Sequence, residues 1–449
     1  MDVQEHFNNV KDIYNSILEY IDSDNSESEE AYQNFINIMD NQNILDNKDS
    51  ICEIMEIICK ISKNHHHSQY FFERIERILS YFTNTIKQIL TNIQIFNLFK
   101  RSKRILLYLI TEKVITIDDN IVNAFLTQKS KNYHFYFFNE IKELIPKEKK
   151  DKIEKQLSKK IPGSLEKIDY LRKIGENESY ICELIRNDSS EEFISYMNQS
   201  NTSLSITIKP SIFETNSFLN KNHPTLIEYA AFFGSLQIFH YLRFNQIELP
   251  KSLWIYAIHG RNPDLIHFLE ENQILPNDET YQECFNESIK CHHNELARYI
   301  EDNLLINENQ SDKTVKIIPF NEEKQAKAEK QENKINSFFG FFKNLFKKDQ
   351  NNIQENIIQE DKNEEKDDVI SSSFQYHNYD FMPANVERRF IFKYLCQFGY
   401  LYLVKLFIQS KMINANDIIV KPIKFFLSNN SYLQFLWNFK SQIFLFNEI

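Results

Sequence analysis

The sequence predicts an all-α protein arranged as a solenoid of short helical hairpins, on three observations. Only six Gly and ten Pro occur in 449 residues, too few turn formers for a β-sandwich. Long Ile, Leu, Phe and Tyr segments recur at helical rather than alternating spacing. The chain also repeats itself. Thr225 to Leu249 reads T-L-I-E-Y-A-A-F-F-G-S-L-Q-I-F-H-Y-L-R-F-N-Q-I-E-L, and the pattern returns 27 residues later, with Ala257 under Ala230 and Leu269 under Leu242. A unit that short cannot bury its own apolar face, so copies must stack on a shared core, and such a stack offers an extended surface to another macromolecule.

Residues 1–175 are predicted to hold degenerate helical hairpins. Cys52 to Ile61, Phe71 to Phe82 and Ile86 to Phe99 carry apolar residues at helical spacing, and Arg104 to Ile115 reads as the second helix and exit of a worn repeat. Asp22 to Glu30 reads as a loop and Pro146 to Lys160 as an exposed, charged helix or connector. Residues 176–306 carry the repeats. Asp188-Ser-Ser-Glu191 has the spacing of a capping box, and Asn262-Pro263-Asp264 that of a capping Asn with Pro at the first helical position. Gly234 is suited to end a helix in the left-handed conformation, and Ala230 and Ala231 to let neighbouring helices approach. A third copy, Tyr281 to Ile300, sets Ser288 in the place of Ala257, 31 residues on, and Ile300 in the place of Leu269.

In residues 307–384 acids, Lys, Gln and Asn displace the apolar pattern, which predicts a disordered linker. Within it Lys334 to Lys348 is amphipathic, with Ile335, Phe338, Phe339, Phe342, Leu345 and Phe346 on one helical face. That segment suits a membrane surface, or a groove on a partner or on the solenoid. Residues 385–449 resume the array with a fourth copy, Tyr394 aligned with Tyr229 and Gly399 with Gly234, and end in an aromatic tail, Lys421 to Ile449.

The repeat resembles the ankyrin repeat. Thr225, Ile227, Ala230, Ala231, Gly234, Leu236, Ile238, Phe239, Tyr241 and Leu242 sit in register with its consensus, while Leu226, Glu228 and Gln246 depart from the consensus Pro, His and second Gly. The hairpins between repeats are therefore expected to be short or irregular. Together with S-Y-I-C-E-L-I-R-N-D-S-S-E-E-F-I-S-Y-M and the strip Pro210 to Leu219, L-I-E-Y-A-A-F-F-G-S resembles the large ankyrin-repeat families of parabasalid protists, over the chain up to Asn416. Those families carry an ankyrin-like domain of unknown function ahead of ordinary repeats. Here the tail stands where further repeats often follow, as an unusual cap or a truncation. The resemblance implies a fold and a binding role, not a reaction. Through its register the binding surface would include Asn222, Pro224, Phe232 and Phe233 in the first repeat, Lys251 and His259 in the second, Lys290 in the third, and Gln397 and Phe398 in the fourth. Phe232 and Phe233, being large and apolar, equally suit packing between repeats.

Net charge of -11 argues against a nucleic-acid or anionic-membrane partner. No apolar run reaches the roughly 18 to 20 residues of a membrane helix, and no hydrophobic segment follows Met1, so a cytoplasmic location is expected, with the nucleus open and secretion not expected. Six dispersed cysteines read as buried apolar residues. No phosphate-binding Gly loop, nucleophile elbow, kinase motif or H-E-x-x-H occurs, so no enzyme and no cofactor is expected. Cys284, Cys291, His292 and His293 are the best metal candidates, yet His292 and His293 point about 100° and 200° away from Cys291 on one helix, so no metal is expected. His65-His66-His67 reads as a solvated turn. The expected function is an adaptor or scaffold for a protein partner. The alternatives are a peripheral membrane tether using Lys334 to Lys348 and, last, an enzyme with an unrecognised N-terminal site.

Overall fold

A computed structural model of the chain describes residues 2–42, 47–68, 70–127, 132–160, 167–305, 363–386 and 390–410. Helix α1 (Val3–Asp22) starts at a capping box in which Asp2 accepts the Glu5 amide at 2.7 Å and Glu5 accepts the Asp2 amide at 3.2 Å. Its residues Val3, Phe7, Val10, Tyr14, Ile17 and Ile21 fall on one stripe and are buried. Helices α2 (Ser28–Asn41), α3 (Lys48–Asn64) and α4 (Phe71–Ile89) pack against that stripe. A hairpin of α5 (Asn92–Phe99) and α6 (Lys103–Thr111) follows, then α7 (Asp119–Thr127), the single turns α8 (Tyr133–Tyr136) and α9 (Phe138–Ile141), α10 (Lys147–Lys160) and α11 (Ile168–Ile174). As its composition requires, α10 buries only Ile153 and Leu157.

Residues from Tyr180 onward form four helical hairpins: α12 (Tyr180–Arg186) with α13 (Ser190–Ser200), α15 (Leu226–Phe233) with α16 (Leu236–Phe244), α17 (Leu253–Gly260) with α18 (Pro263–Glu271), and α19 (Gln282–Lys290) with α20 (Asn294–Asn303). Short α14 (Ser217–Asn222) lies between the first two. First helices stack in chain order, α12 on α15, α15 on α17 and α17 on α19. The repeated register is an interior register: Ala230, Ala257 and Ser288, like Leu242, Leu269 and Ile300, are fully buried. Ser288 is accommodated because its hydroxyl donates to the Cys284 carbonyl at 2.8 Å.

Hairpin exits share one backbone motif. Gly234, Arg261 and His292 end the first helices with φ of 67°, 50° and 58°, and Gln246 and Gln273 follow the second helices at 60° and 54°. Hydrogen bonds from Ile247 to Leu242, Ile274 to Leu269 and Leu305 to Ile300 close the second-helix ends at 3.2, 3.0 and 2.9 Å. The same closure, Val114 to Leu109 at 2.8 Å with Lys113 at φ 55°, ends α6. Arg104 to Ile115 is thus built like a repeat exit. Among the described residues the β-structure is a single antiparallel bridge, Thr207 with Thr225.

Three expectations change. The stretch expected as linker up to Ala384 gives way to a helix, α21 (Asn363–Tyr376), which buries Phe374, followed by a packed turn that buries Tyr379 and Met382. The polar run N-E-E-K-D-D masks this, being only the first turn and a half of that helix. Residues 307–362, including the amphipathic Lys334 to Lys348 face, lie outside the described residues. The fourth copy forms its hairpin, α22 (Ile391–Phe398) and α23 (Leu401–Gln409), with Gly399 at φ 87°. It does not resume the stack, however, because α23 packs on α1 and α3, where Leu403, Val404 and Phe407 complete their core. Finally, Asp188 does not cap its own helix. It accepts the Gln237 and Ile238 amides at 3.0 Å each and so caps α16 of the next hairpin.

Two apolar clusters result. One unites α1–α11 with α21–α23, and the other is the α12–α20 stack. No helix among the described residues is long and apolar enough to cross a membrane.

Candidate functional site

The register-based surface residues divide on inspection. Asn222, Lys251 and Gln397 are exposed, and Lys251 pairs with exposed Glu279 at 2.5 Å. Phe233, Lys290 and Phe398 are half-buried. Pro224, Phe232 and His259 are buried. The His259 ring stacks between Phe218 and Phe232, at 4.3 and 5.1 Å, so these side chains fill the stack rather than line a groove.

His259 belongs to a dense polar cluster where the N-terminal helices meet the hairpin stack. Seven of the twelve histidines gather there: His65, His66, His67, His259, His292, His293 and His377. The turn after α3, expected to be solvated, is inserted into this seam. His65 reaches the Cys291 carbonyl with Nδ1 at 2.9 Å and Asp22 with Nε2 at 2.8 Å. His66 donates from Nδ1 to the His259 carbonyl at 3.1 Å, and His67 stacks on Phe71 at 4.7 Å. From the stack, Arg261 pairs with Asp22 at 2.6 Å, and His293 contacts the Ile258 carbonyl with Nδ1 at 2.9 Å. The Tyr14 hydroxyl lies 3.1 Å from Nδ1 of His292. Asn378 ties in the C-terminal segment by donating to the Ile289 carbonyl at 2.9 Å and to Asn294 at 2.8 Å. Backbone explains the placement: helix ends carry unpaired carbonyls, and the imidazole N–H groups satisfy those at the ends of α17 and α19.

Burial, followed by neighbouring positive charge, lowers the pKa of His66 to about 4 and that of His67 to about 3. The same causes hold His292 and His293 well below 6.5, and burial does so for His377. These rings are neutral at pH 7.

Cys284, His292 and His293 do not converge with Cys291. Cys284 is packed in the apolar stack. His259, Glu287 and Cys291 do place three potential ligand atoms within 4.8 Å of one another. Their arrangement is that of a hydrogen-bond network, not a metal cage. Glu287 Oε1 already takes the His259 Nε2–H at 2.7 Å and the Lys290 ammonium at 2.5 Å. Cys291 Sγ lies 3.5 Å from Nδ1 and 3.9 Å from Nε2 of His259, beside the ring rather than along a nitrogen lone pair. The order thiol, imidazole, carboxylate also matches an activated nucleophile, but burial pushes the Cys291 thiol well above its ordinary value and keeps it protonated.

A second buried polar group lies in the Pro210 to Leu219 strip. Glu214 accepts the Asn216 amide at 2.7 Å and the Asn177 amide at 3.3 Å. Burial, and then the Glu176 carboxylate, push its pKa up to about 8. It organises the loop that enters α14.

Comparison with protein-family models, with curated proteins and with solved structures finds no match for the chain.

Proposed function

We propose that the stacked hairpins are ankyrin-like repeats and that the chain is a non-catalytic scaffold binding a protein partner along the edge formed by its inter-hairpin turns. One observation carries the reading. The repeated positions are all spent on the interior, which leaves the turns as a series of exposed points, Asn222, Gln246, Lys251 and Glu279, with Phe244 beside them 87% exposed. A large apolar side chain so exposed amid polar turns is what a binding anchor looks like in the absence of its partner. A cytoplasmic setting is part of the proposal, since all six cysteines are free and four are buried, as suits a reducing compartment.

The test compares immobilised full-length chain with a Phe244→Asp, Lys251→Glu variant. Both positions are exposed, so the melting temperature should hold, while proteins retained from extract by the parent should be lost. An unchanged retained set would sink the edge assignment. Sedimentation of the parent with anionic vesicles, unaffected by these substitutions, would instead favour a membrane tether through Lys334 to Lys348.

A further inference from the structure

Two seam histidines face opposite kinds of hydrogen-bond partner. His65 faces an acceptor on each side, the Cys291 carbonyl at 2.9 Å and an Asp22 carboxylate oxygen at 2.8 Å. Neither can donate, and Arg261 at 2.6 Å keeps Asp22 ionised, so His65 has no donor facing it on either side. His293, with its ring centroid 5.0 Å away, is the reverse case. Its Nδ1 donates to the Ile258 carbonyl at 2.9 Å, and its Nε2 receives the backbone N–H of His66 at 3.3 Å. That second bond needs a lone pair. A proton on Nε2 would set two N–H groups against each other.

We propose that this seam is a proton-controlled clasp, which closes the N-terminal helices onto the hairpin stack while His293 is neutral and which mild acid opens.

The charges around the seam leave a new proton no counter-ion. Facing His293 and His66 are Asp22 from α1, His65 from the turn after α3, and His259 and Arg261 from the end of α17. His292 faces Tyr14 from α1, Lys60 from α3, His65 and His377. Asp22 is already shared by His65 and Arg261. Glu287 is taken by His259 and Lys290, and Asp380 by Lys11, Arg298 and Asn294. His292 Nε2 and His377 Nδ1 are buried without a partner among the described residues, so these rings too gain by leaving the seam.

The sign follows from the lowered values. A histidine held at about 4 in the closed state and near 6.5 once released contributes stability that is complete above pH 6.5 and is lost as pH falls toward 4. Each histidine that takes up its proton on opening shifts the balance by up to about tenfold per pH unit. The two apolar clusters are distinct and stay linked outside the seam, through Ile212 and Phe213 in the first and Phe381 against Phe285 in the second, so the seam can part locally while both persist.

Amide hydrogen exchange on the full chain tests this, at about pH 7 and about pH 5 with intrinsic rates normalised. Expected is a tenfold or greater loss of protection at residues 65–68 and 291–294 in acid, with the centres of α3 and α15 unchanged. Equal seam protection at both pH values, or loss in step with those helix centres, overturns the clasp. His293→Gln supplies an acceptor for His66 and a donor for Ile258 without titrating, so its seam should open at lower pH than the parent's, and opening at the parent's pH counts against the proposal. Should that variant not fold, Asp22→Asn, which weakens the His65 bridge, should open the seam at neutral pH, and intact protection there would refute it.

Discussion

Gly260 shows how closely these hairpins pack. It sits inside α17, and a Cβ there would run into the Ala231 carbonyl oxygen of α15. Gly260→Ala should therefore force two stacked helices apart at a cost of about 1–3 kcal/mol, read as a lowered urea midpoint. The residues at the left-handed exits behave differently, since Gly234 fills that conformation without strain while Arg261 and His292 hold it against a preference of roughly 1–2 kcal/mol. Asp188, also left-handed, is retained there by the two α16 amides it caps; Asp188→Ala should cost about 1 kcal/mol by the same measurement. Glu214 gives the cleanest pH test. Its folded value of about 8 lies above the ordinary 4.5, so the unfolded chain is the first to ionise and the parent loses stability as pH rises between those values. Glu214→Gln cannot ionise. The melting temperature of the variant relative to the parent should climb from about pH 5 to about pH 8 and then level off, and a flat difference would mean the carboxyl is not the buried acid described.

Helices and their ends were legible wherever a local rule governs them. The Asn262 cap with Pro263 at the first helical position, the Gly234 exit and the Ala230, Ala257, Ser288 register all depend on residues within one or two turns, and each is found as the sequence predicts. What failed depends on partners far along the chain. Asp188 and Glu191 have capping-box spacing, yet the Asp188 side chain finds better-placed amides 49 and 50 residues away. His65-His66-His67 looks solvated because no neighbour in sequence explains it, and its acceptors are the carbonyls of His259 and Cys291, 193 and 226 residues on. The fourth copy is the sharpest case: its internal geometry matches the others, but stacking is decided by which apolar surface is free, and α1 and α3 outcompete α19–α20 for Leu403, Val404 and Phe407. A signal for the seam did exist. Five of the twelve histidines stand in one triplet, His65-His66-His67, and one doublet, His292-His293, both at helix ends, where side-chain donors are needed most.

The chain returns on itself, and this decides how the molecule comes apart. Segments before Ile174 and after Asn363 build one apolar cluster together, with Tyr379 against Phe7 and Tyr14, its hydroxyl donating to Glu53, and Lys405 pairing with Asp49. The hairpin stack is inserted between them in sequence and is also joined to the C-terminal segment by Phe381 against Phe285. Residues 1–305 alone would expose the faces that Phe374, Leu395, Leu403 and Phe407 cover, several side chains worth roughly 1.5–3 kcal/mol each when fully buried. That loss is comparable to the roughly 5–15 kcal/mol by which whole domains are stable, so the C-terminal helices are part of the fold and not an appendage. A protease site inserted near residue 330 and cut to completion should therefore leave two pieces that co-elute in size exclusion at neutral pH and separate only in denaturant. If the C-terminal piece elutes by itself while residues 1–305 keep their melting temperature, α21–α23 do not complete the N-terminal core, and the division into two clusters described above is wrong.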